Sequence, residues 1–342
     1  MVILIRYRNT SDNNLLYWGL DYPPVTAYAS FFFGVVAKFI DPSLVELHSS
    51  RGIENVVCKC FMRLTVVLCD IILCFPTLYL WIQLLLKNSQ MYSKHTLFQT
   101  TAFFISVNMP SLLLIDHGHF QYNGVCIGLA LLGALAILNN KDVLGSILFC
   151  LSLNFKQMAL YYSPVFFFCL IRKCCDNNYR SHFLHLLFVG TTVVTTFALL
   201  WLPFCIYHAP EETCTSSLLH VLHRLFPFER GIFEDKVSNI WFLSSVLFRI
   251  RNFFSPTELI RLSTLLTLTL ISPVAYFSLR FRLNASTFLL SLTACALAFF
   301  LASFQVKTLT PWLITIILRA YFSINPLRYP VICLQYFCVY GM

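Results

Sequence analysis

The stretch Ile115-Asp116-His117-Gly118-His119-Phe120-Gln121-Tyr122-Asn123-Gly124 sets an acid, two histidines, amides and a phenol between two apolar runs, near residues 97–115 and 123–138. Polar and ionisable groups cost several kcal/mol at bilayer depth, so such a cluster belongs at a membrane face or beside a water-filled cavity. Outward from it, apolar runs recur near 64–86, 143–153, 158–171, 183–207, 262–279 and 286–304. A membrane span needs about 20 residues, fewer where neighbours shield it. The composition agrees. Charged residues make up 11% of the chain, hydrophobic ones 58%, and the mean hydropathy is +0.73, whereas a soluble domain carries roughly 25% charged residues. The expected fold is all-α: a polytopic transmembrane helical bundle. A transmembrane barrel would show short alternating segments instead.

The net charge of +9 does not point to nucleic acid, because Lys and Arg sit mostly in short links between apolar runs. Lys87, Lys94, Lys141, Arg172, Lys173, Arg180, Arg280 and Arg282 mark one face, which the positive-inside bias makes cytosolic. The alternate links then lie on the other face: residues 1–63, Asp116 to Tyr122, Asn154 to Gln157, and about 208–260. This requires Ile240 to Ile250 not to cross, as its shortness suggests. Three segments are expected: 1–63, lumenal with an interfacial helix over Val25 to Ile40; 64–306, the transmembrane core; and 307–342, an apolar tail broken by Arg319, Pro326, Arg328 and Pro330. The 14 cysteines are not expected to pair into a framework; most read as small buried hydrophobes, and no zinc knuckle is spaced among them. The apolar run after Met1 stops at Arg6, too short for a signal peptide.

Two further polar clusters share the non-cytosolic side with the first. They are Trp18-Gly19-Leu20-Asp21-Tyr22-Pro23-Pro24 and the segment Phe226 to Lys236, which carries Arg230. Each has a plain structural reading. Asp21 before Pro23-Pro24 suits a turn that starts a helix. Asp116, His119 and Gln121 suit helix caps, Lys156 suits a snorkelling lysine, and Arg230 suits a solvated loop.

Together the motifs LLYWGLDYPPVTAY, HSSRG, FMRLTVV, IDHGHFQYNG, NFKQMALYY and FPFERGIFEDKVSNIWF resemble the endoplasmic-reticulum glucosyltransferases that act on dolichol-linked oligosaccharide, most closely the branch adding the first glucose to the nine-mannose glycan. The resemblance covers roughly residues 11–306. It implies a GT-C type glycosyltransferase fold, a multi-pass protein of the endoplasmic reticulum membrane with a lumenal site, dolichyl phosphate glucose as donor, and a lipid-linked oligosaccharide as acceptor. Transfer would be α-1,3 and inverting, with no cofactor and no metal. Inversion needs an in-line hydroxyl, a base, and cationic or hydrogen-bonding groups on the departing phosphate. On position and resemblance, His119, Gln121, Lys156 and Arg230 are expected to contact donor phosphate and glycan, with Asp21, Tyr22, Asp116 and Tyr122 shaping the pocket. Family members carry a further N-terminal helix, an acidic lumenal base and a later HEK segment, none of which is found here. The chain is therefore expected to be partial, incomplete at both ends, with no residue filling the catalytic base role. The alternatives are a catalytically inactive membrane fragment of the same family and, less well supported, a transporter, whose ionisable groups should sit near mid-membrane.

Overall fold

A computed structural model describes residues 7–10, 13–15, 19–87, 95–110, 112–175, 179–207, 212–226, 239–248 and 250–303. Among these residues there are twelve α-helices, and the only β pairing is an isolated bridge between Thr10 and Asn13. The polytopic all-α expectation is met.

Helix α1 (Pro24–Ile40) starts at the Pro23-Pro24 pair, where a proline's missing N–H costs nothing in the first turn. Asn55 opens α2 (Val56–Cys69) by accepting from the Cys58 amide at 2.7 Å. α2 runs through a π-turn, Asp70–Cys74, directly into α3 (Phe75–Lys87). Pro76 follows that turn and cannot donate to the regular helical ladder. The π-turn carries Asp70 into the interior, fully buried. After α4 (His95–Val107), a second π-turn over Leu112–Gly118 leads, at an angle of 115°, into α5 (Asn123–Leu138).

α5 and α6 (Asp142–Phe155) form the tightest pair in the fold. Their turn is closed by Asn140 at φ 59°, a conformation asparagine tolerates. Gly133 and Gly145 make the approach possible. A Cβ on Gly145 would lie 2.8 Å from the Gly133 carbonyl oxygen, and one on Gly133 2.9 Å from that of Gly145. Such small-residue seams are how apolar helices pack closely in lipid.

The chain then passes through a 3₁₀ turn (Gln157–Tyr162) to α7 (Ser163–Cys175), α8 (Tyr179–Ile206), α9 (Cys214–Leu225), α10 (Ile240–Phe248), α11 (Pro256–Arg280) and α12 (Ala285–Ala302). The core joins α3, α5, α6, α7 and α12. Trp81 is fully buried and donates its indole N–H to the Leu131 carbonyl at 3.0 Å. Phe149 and Phe166 stack at 3.8 Å, and Phe288 meets Phe166 edge-on. α8 is the opposite case: Phe183, Leu184, Leu187, Phe188, Val194 and Leu199 are exposed, which suits a helix facing lipid.

Among the described residues, four helical segments are long and apolar enough to cross a membrane: Gln157–Cys175, Phe183–Ile206, Pro256–Arg280 and Ala285–Ala302. The bent pair of the second π-turn and α5 is a fifth if counted as one span. α10, at 9 residues, is too short to cross at 1.5 Å rise per residue.

One pairing was not anticipated: Cys205, at the end of α8, and Cys214, at the start of α9, form a disulfide. Spacing alone could not show this, because two helix ends brought together by a fold leave no motif in the sequence.

Candidate functional site

The two ends of the α5–α6 hairpin carry different polar clusters. At the end with Lys141, Asp142 pairs with Lys173 of α7 and with His185 of α8 at 3.1 Å. α5 is 16 residues long, so at 1.5 Å per residue the opposite end lies about 24 Å away. There Asp116, Asn123 and Lys156 form one buried relay.

Asp116 is fully buried. Its carboxylate accepts from the Asn123 side-chain amide at 2.7 Å and from the Gly124 backbone N–H at 3.2 Å. It therefore caps α5 from outside, at the positive end of the helix dipole, so the plain reading of this residue holds alongside any other role. The Asn123 oxygen accepts from Lys156 Nζ at 2.7 Å, and its amide nitrogen also donates to Gln121 Oε1 at 3.1 Å. Lys156 follows the last turn of α6 and is 5% exposed. It points inward and does not snorkel. Its ammonium lies 5.6 Å from the centre of the Tyr22 ring, a cation–π arrangement. Burial pushes the Lys156 amine below its ordinary value, with the nearby Asp116 acting against that.

The α1 entry closes the other side. Gln157 Nε2 reaches the Asp21 carbonyl at 3.5 Å, the Tyr22 carbonyl accepts from Tyr7 at 2.6 Å, and Thr26 donates to the Phe155 carbonyl. Tyr122 bonds Thr65 at 2.6 Å and stacks on Phe33. Six of the residues singled out from sequence thus gather at one end of the bundle: Asp21, Tyr22, Asp116, Gln121, Tyr122 and Lys156. His119 does not join them. His119 is exposed in the turn before α5 and makes no hydrogen bond among the described residues. Arg230 lies outside the described residues. His119 thus lies apart from the buried Lys156 relay. Phe120, at φ 62°, follows His119 in a left-handed turn between the π-turn and α5.

The inward histidine is instead His117, whose Nε2 lies 2.8 Å from Asp70 Oδ2. Asp70 is the residue the sequence reading missed. Its other oxygen, Oδ1, has no partner among the described residues, and a Cβ on Gly124 would lie 2.0 Å from it. The signal available was a lone acid inside the 64–86 run. Asn123 was visible in the motif, but only the α5–α6 packing shows that it bridges Asp116 and Lys156. Among the described residues, no three His, Cys, Asp or Glu side chains converge as a metal site.

A buried lysine held by neutral groups at a membrane end, under an aromatic lid, is suited to an anionic lipid headgroup. The family model described as "ALG6, ALG8 glycosyltransferase family" matches residues 6–342. The chain belongs to the ALG6, ALG8 glycosyltransferase family. Among curated ALG6, ALG8 glycosyltransferase relatives, it is 46% identical over 301 residues to the Gallus gallus dolichyl pyrophosphate Man9GlcNAc2 alpha-1,3-glucosyltransferase, covering 88% of this chain and 57% of the relative. It is 44% identical over 301 residues to the Mus musculus protein of the same name, with the same coverage. The chain thus spans a little over half the length of these relatives. The family match also runs through residues 307–342, beyond the resemblance read from motifs.

Proposed function

We propose that this chain carries the donor-phosphate end of an inverting α-1,3-glucosyltransferase of the endoplasmic reticulum membrane. On this reading the enzyme moves glucose from dolichyl phosphate glucose to the nine-mannose lipid-linked oligosaccharide, at the lumenal face and without a cofactor. The observation that carries it is Lys156, the one buried lysine or arginine among the described residues. An ammonium has three N–H groups. One is used by Asn123, and the ammonium nitrogen lies 5.6 Å from the centre of the Tyr22 ring, where an approaching phosphate would complete the shell.

As the sugar–phosphate bond breaks, negative charge grows on the departing phosphate. A preorganised ammonium in a low-dielectric site stabilises that charge without reorganising. Asn123 holds Lys156 in place, and Asp116 orients the Asn123 amide from its other side. No residue described here is assigned as the base for the acceptor hydroxyl.

Two observations support the lumenal orientation. The Lys141, Arg172 and Lys173 links lie at the far end of the hairpin, as the positive-inside bias requires. The Cys205–Cys214 disulfide sits on the links shared with the site, and such bonds persist in oxidising compartments such as the reticulum lumen. A transporter would place its ionisable groups near mid-membrane, whereas the Lys156 and Asp142 clusters lie at opposite hairpin ends.

The test is photocrosslinking in microsomes containing the chain, with a diazirine analogue of dolichyl phosphate glucose. Labelling of the α5–α6 end, competed by dolichyl phosphate glucose but not by UDP-glucose, is expected. Labelling competed equally by any polyprenyl alcohol would remove the phosphate assignment.

A further inference from the structure

We propose that the Cys205–Cys214 disulfide is a positioning bond that holds the Tyr22 lid over Lys156; the importance of that lid rests on the function proposed above, but its mechanics do not. The chain of contacts is continuous. The bond ties the end of α8 to the start of α9. Phe204, beside Cys205, is buried and meets Tyr7 edge-on at 5.7 Å and Tyr28 at 6.0 Å. On the other side of the bond, Glu212 pairs with Arg8, which also reaches Ser217 of α9 at 3.4 Å. Arg224, at the far end of α9, donates to the Leu20 carbonyl at 3.3 Å. Tyr7 then donates to the Tyr22 carbonyl at 2.6 Å, and the Tyr22 ring lies over Lys156.

On the approach to Tyr22, Tyr7 meets Phe204 beside the α8 end, the Leu20 carbonyl accepts from Arg224 of α9, and the Asp21 carbonyl accepts from Gln157. α9 is 12 residues long, a length at which an isolated helix is marginal in water. It depends on packing Val221 and Leu225 against Tyr7, Ala27 and Phe204. Cross-linking its first residue to α8 fixes that packing and, through Arg8 and Tyr7, the lid. In forming the bond the two sulfurs join, each thiol releases a proton, and two electrons pass to a partner disulfide, which is reduced to two thiols. An oxidising compartment supplies that partner.

The test uses the chain expressed in membrane vesicles. Thiols are blocked under denaturing conditions and the peptides mapped without reduction. In parallel, native vesicles are treated with a small water-soluble acetylating reagent before and after dithiothreitol, and Lys156 and Lys173 acetylation is read by mass spectrometry. A linked Cys205–Cys214 peptide is expected. Lys156 acetylation should rise about tenfold on reduction, as when a locally ordered segment opens, while Lys173, paired with Asp142 at the other end, should not change. The Cys205→Ser/Cys214→Ser variant should start high and ignore the reductant; should it not accumulate, reduction of the wild type decides alone. Free alkylated Cys205 and Cys214, an unchanged Lys156, or Lys156 and Lys173 rising together would each overturn the proposal. No sugar transfer is measured, so the glucosyltransferase reading stands or falls separately.

Discussion

Lys156→Met removes one charge while keeping a linear side chain of similar volume, and its effect can be worked from the contacts. In the folded protein it deprives the Asn123 oxygen of a donor at 2.7 Å. A buried polar group left unpaired costs about 1–3 kcal/mol, so the variant should be moderately less stable. The catalytic loss is separate. A hydrogen bond to a charged group is worth about 1.5–3 kcal/mol, so losing the one to the departing phosphate should slow transfer about tenfold to 150-fold at 1.36 kcal/mol per decade. The assay uses a full-length relative carrying this segment, with labelled dolichyl phosphate glucose in microsomes and product counted per molecule of enzyme by immunoblot. Lys156→Arg keeps the charge but replaces a compact donor by a planar fork, and should recover only part of the rate. If Lys156→Met transfers glucose within about twofold of wild type per molecule, a change of under 0.5 kcal/mol, then Lys156 does not stabilise the leaving phosphate.

The same residue sets a pH dependence. Burial holds the Lys156 amine below its ordinary value, so the charge that phosphate needs is lost as pH rises through this lowered value. The alkaline limb of the transfer profile should come earlier than for a solvated lysine, and Lys156→Arg should move it to higher pH; an unmoved limb would assign it elsewhere. Stability runs the other way, since a buried ammonium with a depressed pKa penalises folding below its unfolded value and the penalty eases as pH rises. Gly124→Ala places a methyl 2.0 Å from Asp70 Oδ1, so it should displace the Asp70–His117 pair and cost about 1–3 kcal/mol, the range for overpacking, read as a fall in Tm in detergent. Gly145→Ala meets Ile137 at 2.5 Å and the Gly133 carbonyl at 2.8 Å and should destabilise by a similar amount while leaving donor crosslinking per folded molecule unchanged. Asn9, in the sequon Asn9-Thr10-Ser11, is exposed on the proposed lumenal side and should gain an N-glycan. Asn284, in Asn284-Ala285-Ser286, caps α12 through the Thr287 amide at 2.9 Å and should stay bare. A glycosidase-sensitive shift retained after Asn9→Gln and lost after Asn284→Gln would invert the topology.

The sequence by itself determined the class of this protein. A low charge content, repeated apolar runs and polar residues confined to the links leave few solutions other than a helical bundle in lipid, because backbone groups there must bond within their own segment. The motifs around Asp21, Asp116 and Lys156 were legible for the same reason: an ionisable group in such a setting is costly and stands out. The tertiary structure decided which of those groups meet. The π-turn over Leu112–Gly118 turns His117 inward to Asp70 and leaves His119 exposed, a choice of phase that no residue pattern announces. The Gly133–Gly145 contact draws α5 and α6 together, and only that approach puts Asn123 between Asp116 and Lys156, residues 40 apart in sequence but one amide apart in space. The disulfide was hidden for a related reason. Cys205 looked like any other small apolar residue in a long hydrophobic run, and its reactivity depends on a partner that the fold, not the local sequence, brings within bonding distance.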